Sequence, residues 1–406
     1  MAGPLTGYKV LDMSRVLAGP WAGQMLADLG AEVIKIERPN QGDDTRHWGP
    51  PYLRDQQEVN TEDAAYFFCT NRGKQSVTVD ITQPEGQEII RKLAAQCDVL
   101  IENYKVGGLK KYDLHYSALA EINPKLVYCS ITGFGQTGPY ANRPGYDFLI
   151  QGMGGLMSIT GEPDEQDGGP VKVGVAVTDL FTGLYAANAI QGALLERQKS
   201  GAGQYIDLAL LDVQAAILAN QASNYLVGGV VPGRLGNAHP NIVPYQAFAT
   251  ADSHIILAVG NDSQFERLCQ LLGQPEWAND SHYNNNAARV LNRQQLCAEL
   301  SEQLKGRSSA EWLALFAEHQ IPCGPISAID QVFEDPQILA RNMLVTMADK
   351  RAGQIQLVAN PINYSRSEID YAVPPPILGD DTNRVLGEYL EYSDMDLEQL
   401  RKKSVI

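Results

Sequence analysis

Six short apolar runs, separated by turn residues and by stretches of helical spacing, constrain this chain more than any other feature. They are Tyr8 to Ser14 (YKVLDMS), Glu32 to Glu37 (EVIKIE), Ser76 to Asp80 (SVTVD), Val99 to Glu102 (VLIE), Leu126 to Thr132 and Tyr205 to Leu211. Each has the length of a strand. Between the first two, Val16 to Pro20 (VLAGP) opens a helix that ends at Gly30, with proline in its first turn and glycine at its C-terminal cap. Pro84 to Gln96 reads as another helix. Strands that alternate with helices predict an α/β fold, with a doubly wound, mostly parallel sheet covered on both faces. No GxGxxG follows the first strand, so the dinucleotide fingerprint is missing while the layout remains.

Farther along, Gly133 to Gly169 is rich in glycine and proline, which suits tight turns or amides that approach an anion. Tyr205 to Leu211 is followed by a helix over Val213 to Leu226. Gly228 to Gly236 (GGVVPGRLG) reads as a linker into a second domain. That domain is expected to hold the strand His254 to Val259, helices near Gln264 to Leu272, Asn286 to Leu304 and Ala310 to His319, and the turn Cys323 to Pro325. From about Met343 strands resume, and a charged helix near Asp381 to Lys403 closes the chain. The expected division is a large Rossmann-like sheet domain over 1–227, a smaller α+β domain over 228–330, and a last segment over 331–406.

The stretch Val171 to Arg197 joins two patterns. Val171, Val173, Val175 and Val177 alternate with smaller or polar residues, which predicts a half-buried strand. Leu180, Leu184, Ala187, Ile190 and Leu194 then fall at helical steps. Asp179 stands at the junction, where two readings compete. As an N-cap it would accept from first-turn amides. As a nucleophile it would be a carboxylate kept ionised by the helix dipole, with a reference pKa already about three units below neutral.

With 48 acidic against 32 basic residues the formal charge is −16, which argues against nucleic acid and anionic membrane as partners. No apolar stretch reaches membrane-spanning length and the start lacks a secretory pattern, so a cytoplasmic protein is expected. The six cysteines are scattered without a CxxC pair, which suits reduced thiols and gives no metal signature. An anionic ligand then needs a local basic pocket. The loops after the early strands carry Val16, Arg38, Asn103 and Tyr104, and Arg72, Lys74, Lys111 and Arg143 lie near them in sequence. Singly, each cation reads as a solvated surface charge. Together, at the ends of consecutive strands, they point to a phosphorylated ligand.

These pieces in this order resemble the class III CoA-transferases: VLDMSRVLAGP (Val10 to Pro20), LGAEVIKIERP (Leu29 to Pro39), GDDTR (Gly42 to Arg46), NRGKQSV (Asn71 to Val77), DVLIENY (Asp98 to Tyr104), GFGQTGP (Gly133 to Pro139), GYD (Gly145 to Asp147) and VAVTDLFTGLYA (Val175 to Ala186). The similarity continues through IVPYQAF (Ile242 to Phe248), IPCGP (Ile321 to Pro325) and PPPILG (Pro374 to Gly379). The resemblance implies that Asp179 is the catalytic aspartate, passing through an aspartyl-CoA thioester. It implies that Val16, Arg38, Asn103 and Tyr104 contact CoA, with Lys111 and Tyr146 along its path. In the formyl-CoA:oxalate branch an arginine stands at the position of Lys111 and a glutamine at that of Leu17. The resemblance also implies a large domain built from both chain ends, an interlocked homodimer, and CoA thioesters as substrates with no permanently bound cofactor.

GDDTRHWGPP (Gly42 to Pro51) and GNAHPNIVPYQAF (Gly236 to Phe248) look like the branch that uses succinyl-CoA with glutarate or hydroxymethylglutarate. A dicarboxylate leaves a distal charge in the site, which an arginine grips with two hydrogen bonds. Arg46 is the first candidate, with Arg234 and His239 behind it; the alternatives are a salt bridge from Arg46 to Asp43 or Asp44 and a loop hydrogen bond for His239. Gly154, Gly155 and Gly260 are candidate oxyanion donors. Three other readings stay open: transfer from formyl-CoA or acetyl-CoA to oxalate, an α-methylacyl-CoA racemase, and a non-catalytic acyl-CoA-binding subunit. The racemases resemble this chain but have a histidine where it has Tyr146, and a phenol is a poor base at neutral pH.

Overall fold

Lys9–Asp12 (β1), Glu32–Glu37 (β2), Lys74–Thr78 (β3), Val99–Glu102 (β4), Val127–Thr132 (β5) and Tyr205–Ala209 (β6) form one sheet in the order β3-β2-β1-β4-β5-β6. Every neighbouring pair is parallel, with Val10 beside Val33 on one side and Val99 on the other. The structure is a computed structural model that describes residues 3–406. The α/β expectation holds. The strand order reverses between β1 and β4, which is where an open sheet of this kind leaves a crevice at the carboxyl ends of its strands.

Both faces of the sheet are buried, which is why its strands read as near-continuous apolar runs. Leu11, Ile34, Val77 and Leu100 pack with Ile89, Ile90 and Leu93 of the helix Pro84–Ala94. The same layer contains Val385, Leu386 and Leu397 from the terminal helices Thr382–Leu390 and Asp394–Lys402. On the opposite face Val10, Val33, Val99 and Val127 meet Ala22 and Leu26 of the first helix, Ala18–Asp28, and Ala186, Ala187 and Ile190 of the long helix Val177–Ser200.

The described chain divides into two compact units. One comprises residues up to Gly154, Gly174–Ile217 and Pro336–Ile406. It adds to the sheet a hairpin of Leu344–Asp349 with Gly353–Val358. The other comprises Gly155–Val173 and Leu218–Asp335. In it, Tyr245–Ala249, His254–Ala258 and Cys323–Pro325 form an antiparallel sheet over a core that includes Phe248, Leu257, Phe265, Leu300 and Phe316. Cys323 to Pro325, expected as a turn, is thus an edge strand.

Four sequence expectations need correction. Val171 to Val177 forms no strand: Val171 donates to the Thr160 carbonyl and Val177 to that of Val175, which are turn contacts and not a ladder. Alternation describes a strand only where a neighbouring edge pairs with it. The helix over Val213 to Leu226 is two, Leu210–Ala216 and Ala219–Leu226, with Ala219 at φ +46° between them. Asn286 to Leu304 likewise breaks at Asn292, and the terminal helix ends its first half at Glu391, φ +58°.

A buried ionic cluster ties the sheet to the C-terminal segment. Lys74 pairs with Asp12 at 2.9 Å and Lys35 with Asp43 at 2.9 Å, all four side chains fully enclosed. Arg46 is 2% exposed and donates to both oxygens of Glu37 at 2.8 Å, to Asp63 at 2.7 Å and to the Pro376 carbonyl at 3.1 Å, with its plane over Phe67. Asp63 passes the link to Arg351, which also binds Asp349 and the Pro375 carbonyl. Removing one partner from such a cluster strands the others without a counter-charge. Arg46→Met is expected to lower unfolding free energy by about 3–5 kcal/mol in urea titration. An unchanged midpoint would show that the cluster contributes nothing.

Candidate active site

The loops after β1, β2 and β4 converge at the switch point. After β1, Val16 takes φ +72°, a left-handed conformation that β-branched residues rarely adopt. From the loop after β4, the Asn103 side chain accepts from the Arg15 N–H at 2.9 Å and donates to the Arg15 carbonyl at 2.7 Å. From the loop after β2, Asp43 accepts from the Val16 N–H at 3.2 Å. Lys35 and the Thr45 amide hold the Asp43 carboxyl down at about 2 despite its burial.

Asp179 occupies the third position of the long helix, not its cap. The cap is supplied from elsewhere: Asp147 accepts from the Thr178 N–H at 2.8 Å and from the Asp179 N–H at 3.3 Å, and its other oxygen accepts from Gln151 at 2.6 Å. The free amides at the start of this helix are therefore taken by a different carboxylate. Among the described residues no donor or cation holds the Asp179 carboxyl itself. Burial first, and then the negative charge of Asp147, push it up to about 7. This overturns the expectation of a carboxyl lowered by the helix dipole. A dipole worth under one unit loses to desolvation plus a like charge nearby. Tyr66, pushed up to about 12 by burial, also feels the charges of Cys69, Asp179 and Asp147, which leaves a neutral hydroxyl near this acidic pair.

The expected cations separate into two groups. Arg38, Lys111 and Arg143 are exposed, as is Tyr146. Arg38 donates to Gln41 at 2.7 Å, Lys111 lies over Tyr112, and Arg143 over Tyr140. Tyr104 is half-buried, with the Arg15 guanidinium over its ring. Arg72 and Lys74 are instead engaged in buried pairs. Arg72 makes a two-pronged pair with Asp28 at 2.7 Å and donates to the Val358 carbonyl at 2.6 Å, while Lys74 is enclosed by Asp12, the Pro20 carbonyl and Asn71. A phosphate reaches neither without breaking buried pairs.

The distal-carboxylate candidates are corrected in the same way. Arg46 is consumed in the buried cluster, by Glu37 and Asp63 and not by Asp43 or Asp44. Arg234 is paired with Asp164 and donates to the Glu162 carbonyl. His239 accepts from the Asn241 N–H at 3.0 Å, packs on Tyr245, and has its pKa lowered by burial and by Arg293, so it is a neutral loop residue. The Gly154 amide donates to the Ile150 carbonyl and the Gly260 amide to Gln264, so neither is free for an oxyanion; Gly155 sits at φ +86°. The sequence does not show Asp147 as the cap or Tyr66 as a neighbour, and it offers Asp43 only as a partner for Arg46, not for Lys35 and the Val16 amide. The DD of GDDTR and the D of GYD were visible, but nothing in sequence says which backbone amides they meet.

Beside the long helix lies a cavity of about 1510 Å³ whose wall includes Trp21, Met25, Phe68, Leu180, Phe181 and Leu184. No helix among the described residues is long and apolar enough to cross a membrane.

A family model described as CoA-transferase family III matches residues 5–382. The chain is 51% identical over 385 residues to a succinate–glutarate CoA-transferase of Agrobacterium fabrum, covering 95% of each. It is 45% identical over 403 residues to a human succinyl-CoA:glutarate CoA-transferase, covering 99% of this chain and 90% of that one. A crystal structure of a CAIB/BAIF family protein from Brucella suis superposes with a TM-score of 0.84 at 49% identity, covering 96% of this chain and all of the other.

The environment of Asp179 has a consequence for stability. Its folded pKa lies above the ordinary value of 3.8. The folded state therefore holds a proton that the unfolded state has lost, and stability falls as pH rises from about 4 to about 7 and is level beyond. Asp179→Asn cannot ionise, so it should gain on the wild type by at least ~1 kcal/mol between pH 5 and pH 8 in thermal melts. A constant difference across that range would place the carboxyl in water.

Proposed function

The chain belongs to CoA-transferase family III, and on that premise we propose that it moves CoA from succinyl-CoA to glutarate through covalent catalysis at Asp179. The observation that carries this reading is a half-buried carboxyl in the first turn of a long helix, unpaired because Asp147 has taken the capping role. A carboxylate stripped of donors and partly dehydrated is more basic and more nucleophilic than one in water. At neutral pH about half of it is ionised, so no general base is required.

The steps balance without a net proton. An Asp179 oxygen attacks the thioester carbonyl of succinyl-CoA, the C–S bond breaks, and a succinyl-aspartyl anhydride forms as CoA thiolate leaves. The thiolate attacks the Asp179 carbonyl, which releases succinate and leaves the aspartyl-CoA thioester. Glutarate attacks that thioester and displaces the thiolate again. The thiolate then attacks the glutaryl carbonyl, which gives glutaryl-CoA and restores Asp179. We place CoA over the loops of Val16, Arg38 and Tyr104, with Lys111, Arg143 and Tyr146 as the exposed groups along its length. A homodimer is supported by exposed apolar residues around the long helix, among them Phe148, Phe181, Leu184 and Tyr185, beside the cavity described above. Six free thiols support a cytoplasmic setting.

The racemase reading lacks the histidine of that branch: its position holds Tyr146, which is two-thirds exposed. Transfer to oxalate would use the same chemistry on a different acceptor acid, and the similarity to succinate–glutarate transferases supports glutarate.

Intact mass after mixing with succinyl-CoA, followed by borohydride trapping and peptide mapping, should find an adduct on Asp179. A panel of acceptor acids should show transfer to glutarate above oxalate and carnitine. Absence of both adduct and transfer would overturn the covalent mechanism, and preference for oxalate would overturn the substrate assignment. The turnover rate should rise with pH through about 7. In Asp147→Asn, which keeps a capping oxygen but removes the charge, that rise should move to lower pH by about one unit. An unmoved profile would disconnect Asp147 from the reacting group.

A further inference from the structure

The first strand-to-helix turn of a doubly wound sheet ordinarily takes glycine where its backbone becomes left-handed, because a Cβ there collides with the following carbonyl. This chain has valine at φ +72°. Nothing in a free Arg15–Val16 dipeptide favours that conformation, and such strain persists only where the surroundings over-determine it.

Two side chains from other elements supply that determination. Asn103 bonds the two peptide groups that flank the Arg15 Cα, accepting from the Arg15 N–H at 2.9 Å and donating to the Arg15 carbonyl at 2.7 Å. In doing so it bridges the loops after β1 and β4, across the switch point itself. Asp43 receives the Val16 N–H at 3.2 Å from the β2 side. Both are fixed in turn. Lys35 and Thr45 hold the Asp43 carboxylate, and Glu37 accepts from the Asp43 N–H at 2.9 Å. The buried Glu102 accepts from the Tyr104 N–H at 2.7 Å, which sets the peptide that follows Asn103.

We propose that Asn103 and Asp43 are positioning residues: they clamp Arg15–Val16 in a left-handed turn that valine would otherwise leave, and so preshape the crevice that receives the CoA thioester. The Asn103 side chain acts through the Arg15 backbone, where both of its polar atoms are engaged, which leaves the backbone of its loop to face the ligand. The proposal rests on the reading of this crevice as the CoA site.

The test is a cycle of four proteins, wild type, Asn103→Ala, Val16→Gly and the double variant. Each is titrated with free CoA by calorimetry and assayed for KM and kcat with succinyl-CoA and glutarate. Asn103→Ala should weaken CoA binding about tenfold or more, the scale of a strained residue released from its clamp. KM should rise in step, with kcat changed by less than about threefold. In the Val16→Gly background the same substitution should cost less than about threefold, because glycine holds φ +72° unaided. Asn103→Asp keeps the acceptor for the Arg15 N–H and loses the donor to its carbonyl, so it should fall between wild type and Asn103→Ala. It also serves if the alanine variant does not fold. An equal loss in both backgrounds would mean that Asn103 touches the ligand directly, and no loss in either would mean that the clamp is idle; each overturns the proposal. Failure of the wild type to bind CoA at all would instead sink the site reading on which the proposal stands.

Discussion

Lys35 and Asp43 meet at 2.9 Å with neither side chain exposed, and from that point each reaches a second element. Lys35 also donates to the Ser14 carbonyl at the end of β1. Asp43 takes the Thr45 amide and hydroxyl and the Val16 amide. One ion pair thus fixes where the β1 turn, the β2 loop and the short helical turn Asp44–His47 lie relative to each other. Burying two charges costs several kcal/mol per ion, so their attraction repays little beyond that cost. What the pair provides is placement: an apolar substitute of the same volume would fill the space and leave the Val16 and Thr45 amides without acceptors.

The same unit holds two carboxyls in opposite states. Asp43 is driven down to about 2 by a lysine and by amide and hydroxyl donors, although it is almost completely enclosed. Asp179 is less enclosed and is pushed up to about 7 by burial and then by the charge of Asp147, with no donor among the described residues to offset them. Burial alone does not set the protonation state; the donors around each oxygen decide it. Two carboxyls shifted in opposite directions therefore coexist in one unit, distinguished by their neighbours.

Legibility in the sequence follows the range of the interactions. Glu32–Glu37 and Val99–Glu102 are strands over the residues read from their apolar runs, since two-faced burial writes itself into local composition. Asp179 was picked out by position and by family resemblance. Its cap was not, because Asp147 lies 32 residues earlier and only folding brings its oxygen to that amide. The partners of Arg46 are illegible for the same reason: a salt bridge is readable as an alternative, but Glu37, Asp63 and Pro376 are 9, 17 and 330 residues away. Val171 to Val177 failed in the opposite direction. Its alternation is a true local pattern, but a strand is a relation between two segments, and these residues form no strand.

The cations that a phosphorylated ligand could use are fewer than the sequence suggests. Arg46, Arg72 and Lys74 neutralise carboxylates inside the protein, while Arg38, Lys111 and Arg143 remain at the surface of a chain of net charge −16. At physiological salt, charges beyond about 8 Å are largely screened, so the overall negative field neither repels CoA strongly nor helps to gather it. Affinity must then come from short-range contacts that are already in place when the ligand arrives. A site in that position gains from every degree of freedom removed beforehand. A left-handed valine held from two sides by Asn103 and Asp43 is a turn with its freedom already spent.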